Sequence, residues 1–194
     1  SEVLLASPYF VPGERGVLAL REAAAGVRVS LVTNSLATTD EPLAHFGYAR
    51  YRVALLDMGV ALYELMPRTS RIDDDAPGAS LGRLHAKLAV VDGRWLSIGS
   101  MNMDRRSAHS NTEMALIVDS PVLASQASAL LHSQRMPHSY QLRTRPGERD
   151  EPARLQWVAT EGEGEVVHAS EPSLNWGRRL RLSMISALVG EELL

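Results

Sequence analysis

Residues Leu84–Asn102 read LHAKLAVVDGRWLSIGSMN. Leu84, Ala86, Leu88 and Val90 alternate with His85, Lys87 and Ala89. In a strand, alternate side chains point to opposite faces, so His85 and Lys87 share one face and the apolar set takes the other. Asp92-Gly93 is a hairpin signal, because the tight turn favours residues that tolerate positive φ. Trp95–Ile98 is then the returning strand. It carries Gly99, Ser100 and Asn102 back beside His85 and Lys87. Gly99 permits close backbone approach, and Ser100 and Asn102 supply hydrogen-bond donors. An imidazole, a fixed cation and neutral donors converge, a set that suits an anionic, phosphate-like centre. Lys87 is the only lysine of a chain that otherwise uses Arg as its cation. That usage points to a need for a compact ammonium beside His85.

Composition narrows the setting. The chain has 194 residues, 45% hydrophobic and 22% charged, which fits one globular domain or slightly more. Its formal net charge of -3 gives no basic footprint for nucleic acid. The absence of Cys excludes disulfides and thiolate metal sites. No apolar run approaches the length of a membrane-spanning helix. The opening SEVLLASPYF lacks the basic start and long apolar core of a signal peptide and reads as an interior strand exposed by truncation.

Outward from the hairpin, the sequence predicts strand, helix, strand at Val3–Ala6, Glu14–Ala25 and Val27–Thr33. Short connections make this a βαβ unit with parallel strands. Tyr9 lies in the Pro-rich loop after the first strand, and Asn34 opens the polar loop NSLATTD after the second. Ligands bind at such carboxyl-end loops in α/β proteins, so both are candidate substrate contacts. A helix runs from Asp40 to about Met58 and places His45, a third candidate, and Tyr48 on one face. Val60–Met66 is a third strand. Pro67–Arg83 reads as a loop whose Asp73-Asp74-Asp75 run is solvated, with no further ligand at a metal-binding spacing. Asn111–Asp119 is a strand with Glu113 early in it, and Pro121–Met136 is a helix. Beyond Pro137, Arg154–Thr160 and Glu165–Ala169 form a strand pair. Ser173–Val189 is an amphipathic helix with Arg178, Arg179 and Arg181, able to pack on its own domain or lie on an anionic membrane. The expected fold is α/β, a mixed, mostly parallel sheet sandwiched by helices. It divides into a main part at 1–137 and a small C-terminal extension at 138–194.

His85, Lys87, Asp92, Gly99, Ser100 and Asn102 fit H-x-K-x4-D-x6-G-S-x-N. This pattern resembles the HKD signature of the phospholipase D superfamily. SPYFVPG, TNSLATTD, HSNTEMALIVDS and the GEELL ending are similar to bacterial cardiolipin synthases of the C-type branch. The resemblance implies a phosphohistidine mechanism without metal or cofactor. One His attacks phosphorus, and the other acts as acid and base. Lys87 and Asn102 then hold phosphate oxygens, Asp92 supports the His residues, and Glu113, the acidic residue after the G-S-x-N step, supports the catalytic His. Family members carry two HKD motifs, and this chain has one. With its abrupt start, that implies the C-terminal half of a longer enzyme, with His85 as acid/base. Its partners are then phospholipids, an N-terminal HKD half or a second copy, and the cytoplasmic face of a bacterial inner membrane. Two other readings stay open. One is a phosphodiesterase or nuclease working as a homodimer, disfavoured for DNA by the acidic balance. The other is a non-catalytic phosphate-binding module.

Overall fold

The structure, a computed structural model, describes residues 1–67, 82–147, 153–162 and 164–172. The Asp73–Asp75 run and the terminal segment Ser173–Val189 lie outside the described residues. Strands β1 (Glu2–Ala6), β2 (Arg28–Asn34) and β3 (Ala61–Leu65) form a parallel centre. Helix α1 (Gly13–Ala24) connects the first two, and α2 (Pro42–Ala49) and α3 (Arg52–Asp57) connect the second to the third. The hairpin of β4 (Lys87–Val91) and β5 (Trp95–Gly99) joins β1 antiparallel, and β6 (Ala115–Asp119) closes that side. Between them stands the short helix α4 (Arg105–His109), capped by the Asp104 carboxylate, which accepts from Ser107 N–H at 2.7 Å.

Helix α5 (Pro121–Leu130) then passes through a π-helical turn at Leu131–Arg135 and a 3-10 turn at Met136–His138 into β7 (Ser139–Arg145). The strands β7, β8 (Arg154–Glu161) and β9 (Gly164–His168) extend the same sheet, in the order β6-β5-β4-β1-β2-β3-β7-β8-β9.

The sheet is mixed, as its sequence predicts, but among the described strands only β1–β2 and β2–β3 pair in parallel. The other strand pairings among the described residues are antiparallel, and Phe10 and Met103 make an isolated parallel bridge. The two parallel pairs are joined by helical crossovers, whereas β4 and β5 form a tight hairpin and β5 reaches β6 through the short helix α4. Strand β7 was not expected, because its sequence SYQLRTR is polar in all but two positions. Those two, Tyr140 and Leu142, are buried on one face and carry the period-2 signal. The helix expected from Asp40 to Met58 is also broken, at Arg50-Tyr51, and the break lets Arg52 enter the core.

Alternation within β1 and β2 sorts the core onto two faces. Leu5, Leu31, Leu62, Tyr48, Leu55 and Trp157 pack on the side of α2 and α3. Leu4, Ala6, Val32, Val90, Leu96 and Ala124 pack on the side of α5. Each fully buried leucine contributes on the order of 1.5–3 kcal/mol from apolar transfer. This packing holds β4 rigidly against β1.

Candidate active site

The site grows from the register of β4, β5 and β6. Lys87 pairs with Gly99 and Gly99 with Ala115, so the three stand in one row. A Cβ on Gly99 would lie 2.7 Å from Ala115 Cα, so only glycine lets β6 approach there. That approach sets Ser100 against the chain ahead of β6. Ser100 N–H donates to Met114 O at 2.9 Å, and Met114 N–H donates to Ser100 Oγ at 3.1 Å. The Ser100 hydroxyl donates a very short bond to a Glu113 carboxylate oxygen, and Asn111 Nδ2 donates to the other at 3.1 Å.

His85 lies just before β4, one residue beyond a buried clamp. Asn34 Nδ2 donates to Leu84 O at 3.0 Å, and Leu84 N–H donates to Asn34 Oδ1 at 2.9 Å. Both ends of the Asn34 amide are thereby used, and the side chain is 1% exposed. Asn34 is therefore no substrate contact. It fixes the backbone from which His85 projects. Lys87 Nζ donates to His85 O at 2.9 Å and lies 3.4 Å from His85 Nε2. Imidazole and ammonium thus face one point on an open surface, where His85 and Ser100 are exposed.

Asn102 precedes a backbone tie to the loop after β1. Val11 N–H donates to Met103 O at 2.7 Å, and Met103 N–H donates to Tyr9 O at 3.2 Å. Asn102 Oδ1 is buried without a hydrogen-bond partner among the described residues. Tyr9 stands on the rim and donates its hydroxyl to Asp40 Oδ1 at 2.8 Å. Arg83 reaches Asp40 at 4.0 Å.

Asp40 is a site residue that sequence reasoning missed. From sequence Asp40 reads only as the start of a helix, and it lies far from the motif. Its signal was its place at the end of the NSLATTD loop, at the carboxyl end of β2.

Electrostatics follow from these contacts. Burial lowers the Lys87 ammonium below its ordinary value, against the opposing pull of Glu113, Asp40 and Asp104. The Ser100 hydroxyl and then the Asn111 amide hold the Glu113 carboxyl below the usual range, helped by Lys87. Burial raises the Asp40 carboxyl, but Tyr9, its own backbone, Arg83 and His85 outweigh it and keep it ionised. Burial and the bond to Asp40 push the Tyr9 phenol up to about 12. The result is a cation flanked by ionised carboxylates. Such a site can hold a phosphate oxygen on Lys87 while imidazole, serine and asparagine supply proton transfer and neutral hydrogen bonds.

Two expected site residues lie elsewhere. Asp92 sits at the far end of β4, in the turn, at φ 51. Its Oδ1 accepts Glu2 N–H at 2.7 Å, and its own N–H donates to Glu2 O at 2.9 Å. It pins the hairpin to β1 and does not touch His85 or Lys87. His45 is 4% exposed and belongs to a buried ionic cluster, out of reach of substrate. There Arg52 Nε donates to Glu64 Oε1 at 2.8 Å, and an Arg52 Nη donates to Glu171 Oε1 at 2.7 Å. His45 Nε2 lies 2.7 Å from the same Glu171 oxygen. His45, Glu64 and Glu171 are close enough together to suggest a metal set. The Arg52 guanidinium already lies among them as their cation, so the cluster is an ion network.

Comparison with known proteins places this geometry. The family profile described as cardiolipin synthase, PLD-like domain, matches residues 1–134. The chain belongs to this family. Cardiolipin synthase C of Escherichia coli is 37% identical over 193 residues, covering 97% of this chain and 40% of that protein. A cardiolipin synthase of Geobacillus thermodenitrificans is 37% identical over 113 residues, 58% of this chain and 19% of that protein. The chain therefore spans less than half the length of these cardiolipin synthases. Among solved structures, Nuc of Salmonella typhimurium, a phospholipase D family member, shares the fold. The TM-score is 0.53 at 22% identity, over 74% of this chain and 82% of that one. In this chain the row of Lys87, Gly99 and Ala115 brings the Ser100–Glu113 contact beside Lys87.

Proposed function

We propose that this chain is the C-terminal catalytic half of a phosphatidyltransferase that joins two phospholipids into cardiolipin. The observation that carries the reading is His85 Nε2 at 3.4 Å from Lys87 Nζ on an exposed face. One imidazole and one ammonium make half of a two-histidine site. The open face is where a second motif, from an N-terminal half or another copy of this chain, would complete it. The match to cardiolipin synthase C across 97% of this chain supports a lipid substrate over a nucleic acid, as does the net charge of -3.

In the proposed reaction the opposing His attacks phosphorus and forms a P–N bond. The bond from phosphorus to the leaving alcohol breaks, and His85 gives that alcohol its proton. His85 then takes the proton of the incoming glycerol hydroxyl of phosphatidylglycerol. The new P–O bond forms as the P–N bond breaks. Lys87 and Asn102 hold the non-bridging oxygens, and the ionised Glu113 braces the site through Ser100. Water in place of the glycerol hydroxyl gives hydrolysis instead. The working surface is a bacterial membrane that the protein meets from outside the bilayer; among the described residues no helix is long and apolar enough to cross one.

The test is His85→Ala in the full-length protein, with vesicles containing phosphatidylglycerol and cardiolipin measured by mass spectrometry. General acid–base catalysis contributes about 100- to 10,000-fold, and the variant is expected to lose at least the lower figure. Retained cardiolipin formation would sink the assignment.

A further inference from the structure

A cleft of about 1290 Å³ between α1 and α4 is lined by Asn102, to which the proposed function assigns the phosphate, and by Asp104, whose charge acts on Lys87. Leu5 and Phe10 form its floor, Ala19 and Leu20 of α1 one wall, and Met101 and Met103 the other. Met101 and Met103 flank Asn102 in sequence, and the backbone bonds of Met103 to Tyr9 and Val11 fix that wall to the loop after β1. Met101 is 45% exposed, an apolar group beside a site for an anion. A free phosphate or a nucleic acid backbone has no use for such a wall. Methionine is flexible and polarisable and adapts to alkyl chains of variable shape. Arg105 and Arg106 of α4 stand at the edge, with Glu14 and Asp104 as the acidic groups there. Asp104 is already engaged by Ser107 N–H at 2.7 Å. With Arg15 also in the lining, the guanidiniums there outnumber the carboxylates of Glu14 and Asp104, which suits the anionic headgroup region of a lipid.

We propose that this cleft seats the acyl-glycerol end of the phospholipid whose phosphate lies at Lys87 and Asn102. The proposal rests on the lipid-transfer reading above and adds where the apolar part of the substrate goes. One end of an amphiphile is met by the cation and neutral donors. The other is met by an apolar trough that begins at the same asparagine.

The experiment is calorimetric titration of the 194-residue chain with lysophosphatidylglycerols of increasing acyl length, below their micellar concentrations. Glycerol 3-phosphate and tungstate serve as chain-free probes. Affinity is expected to rise with acyl length, by up to roughly fourfold per fully buried methylene. Ala19→Trp, which fills the cleft, is expected to flatten that dependence. Leu18→Trp, on α1 but outside the cleft, is expected to keep it. Length-independent binding in the unmodified chain, with the chain-free probes still bound, would overturn the proposal and assign the cleft to protein contacts. The lipid-transfer reading would survive that result. A length dependence that persists in Ala19→Trp would also overturn it, by placing the chains elsewhere. If neither glycerol 3-phosphate nor tungstate competes with the lysolipid, the phosphate-site reading fails instead.

Discussion

Arg52→Met keeps a long side chain in the core and removes the guanidinium. Arg52 is 3% exposed and bonds both Glu64, at 0%, and Glu171, at 8%. Its guanidinium also lies 5.1 Å from the Tyr48 ring centroid and 5.3 Å from that of Trp157. The variant leaves two buried carboxylates. His45, beside Glu171, can pair with one at most. Trp157 Nε1–H, which donates to Glu64 Oε2 at 2.9 Å, supplies a hydrogen bond but no charge. Removing one partner of a buried pair costs about 3–5 kcal/mol, because the other charge stays desolvated. For a chain of this size that is a fall of roughly 6–20 °C in Tm.

Urea denaturation at neutral pH, followed by circular dichroism, measures this directly. The sign with pH is also fixed. In the native protein, burial raises the Glu171 carboxyl, but His45 and Arg52 outweigh it and hold the group low. Its contribution is present above the unfolded value and is lost as pH falls through the lower folded one. In Arg52→Met, Glu171 keeps its burial and loses the pull of Arg52, so acid relieves the deficit and the gap to the native protein narrows. A loss below about 1 kcal/mol would refute the reasoning, since it would mean that no unpaired charge is stranded. So would a gap that widens in acid.

Three shorter predictions concern the site. Gly99→Ala forces β5 and β6 apart at Ala115 and is expected to cost about 1–3 kcal/mol; it should also disrupt the Ser100–Glu113 contact, so turnover per folded molecule falls as well. Asp92→Ala removes the acceptor for Glu2 N–H and disfavours the positive φ, so it is expected to cost about 1–2 kcal/mol with turnover per folded molecule unchanged. A collapse of turnover there, with stability intact, would restore Asp92 to the active site. Glu113→Gln keeps an acceptor for Ser100 and removes the charge near Lys87. It should lower turnover at neutral pH, and the native enzyme should lose the same support as pH falls below the ordinary carboxylate range. An unchanged acid limb in the variant would count against the role.

The hairpin was legible because its signals are local. Alternation set the faces of β4, and Asp92-Gly93 set the turn. That turn is closed by Arg94 N–H donating to Val91 O at 3.0 Å. The parallel centre followed from short helical crossovers. On the flanks the β6 strand and the β8–β9 pair were also legible, but β7 was not, because its mostly polar strand pairs with β3 through tertiary packing. Asn34 and His45 are candidate substrate contacts from sequence, and the fold buries both. Whether such a residue meets substrate or buried backbone depends on burial, which spacing along one chain does not show. Asp92 illustrates the same gap from within the motif: a fixed spacing marks a needed residue without saying whether its task is chemistry or the turn. Asp40 went unread because its partners Tyr9 and Arg83 come from separate loops and meet it only in the fold.

The central claim is that His85, Lys87 and Asn102 together hold a phosphate-like anion. Soaking tungstate into crystals of the chain tests it most directly. The account predicts one anion within hydrogen-bonding distance of Lys87 Nζ and His85 Nε2, with Asn102 on its flank, and its loss in Lys87→Met. Tungstate bound elsewhere, or bound equally well in Lys87→Met, would contradict the account.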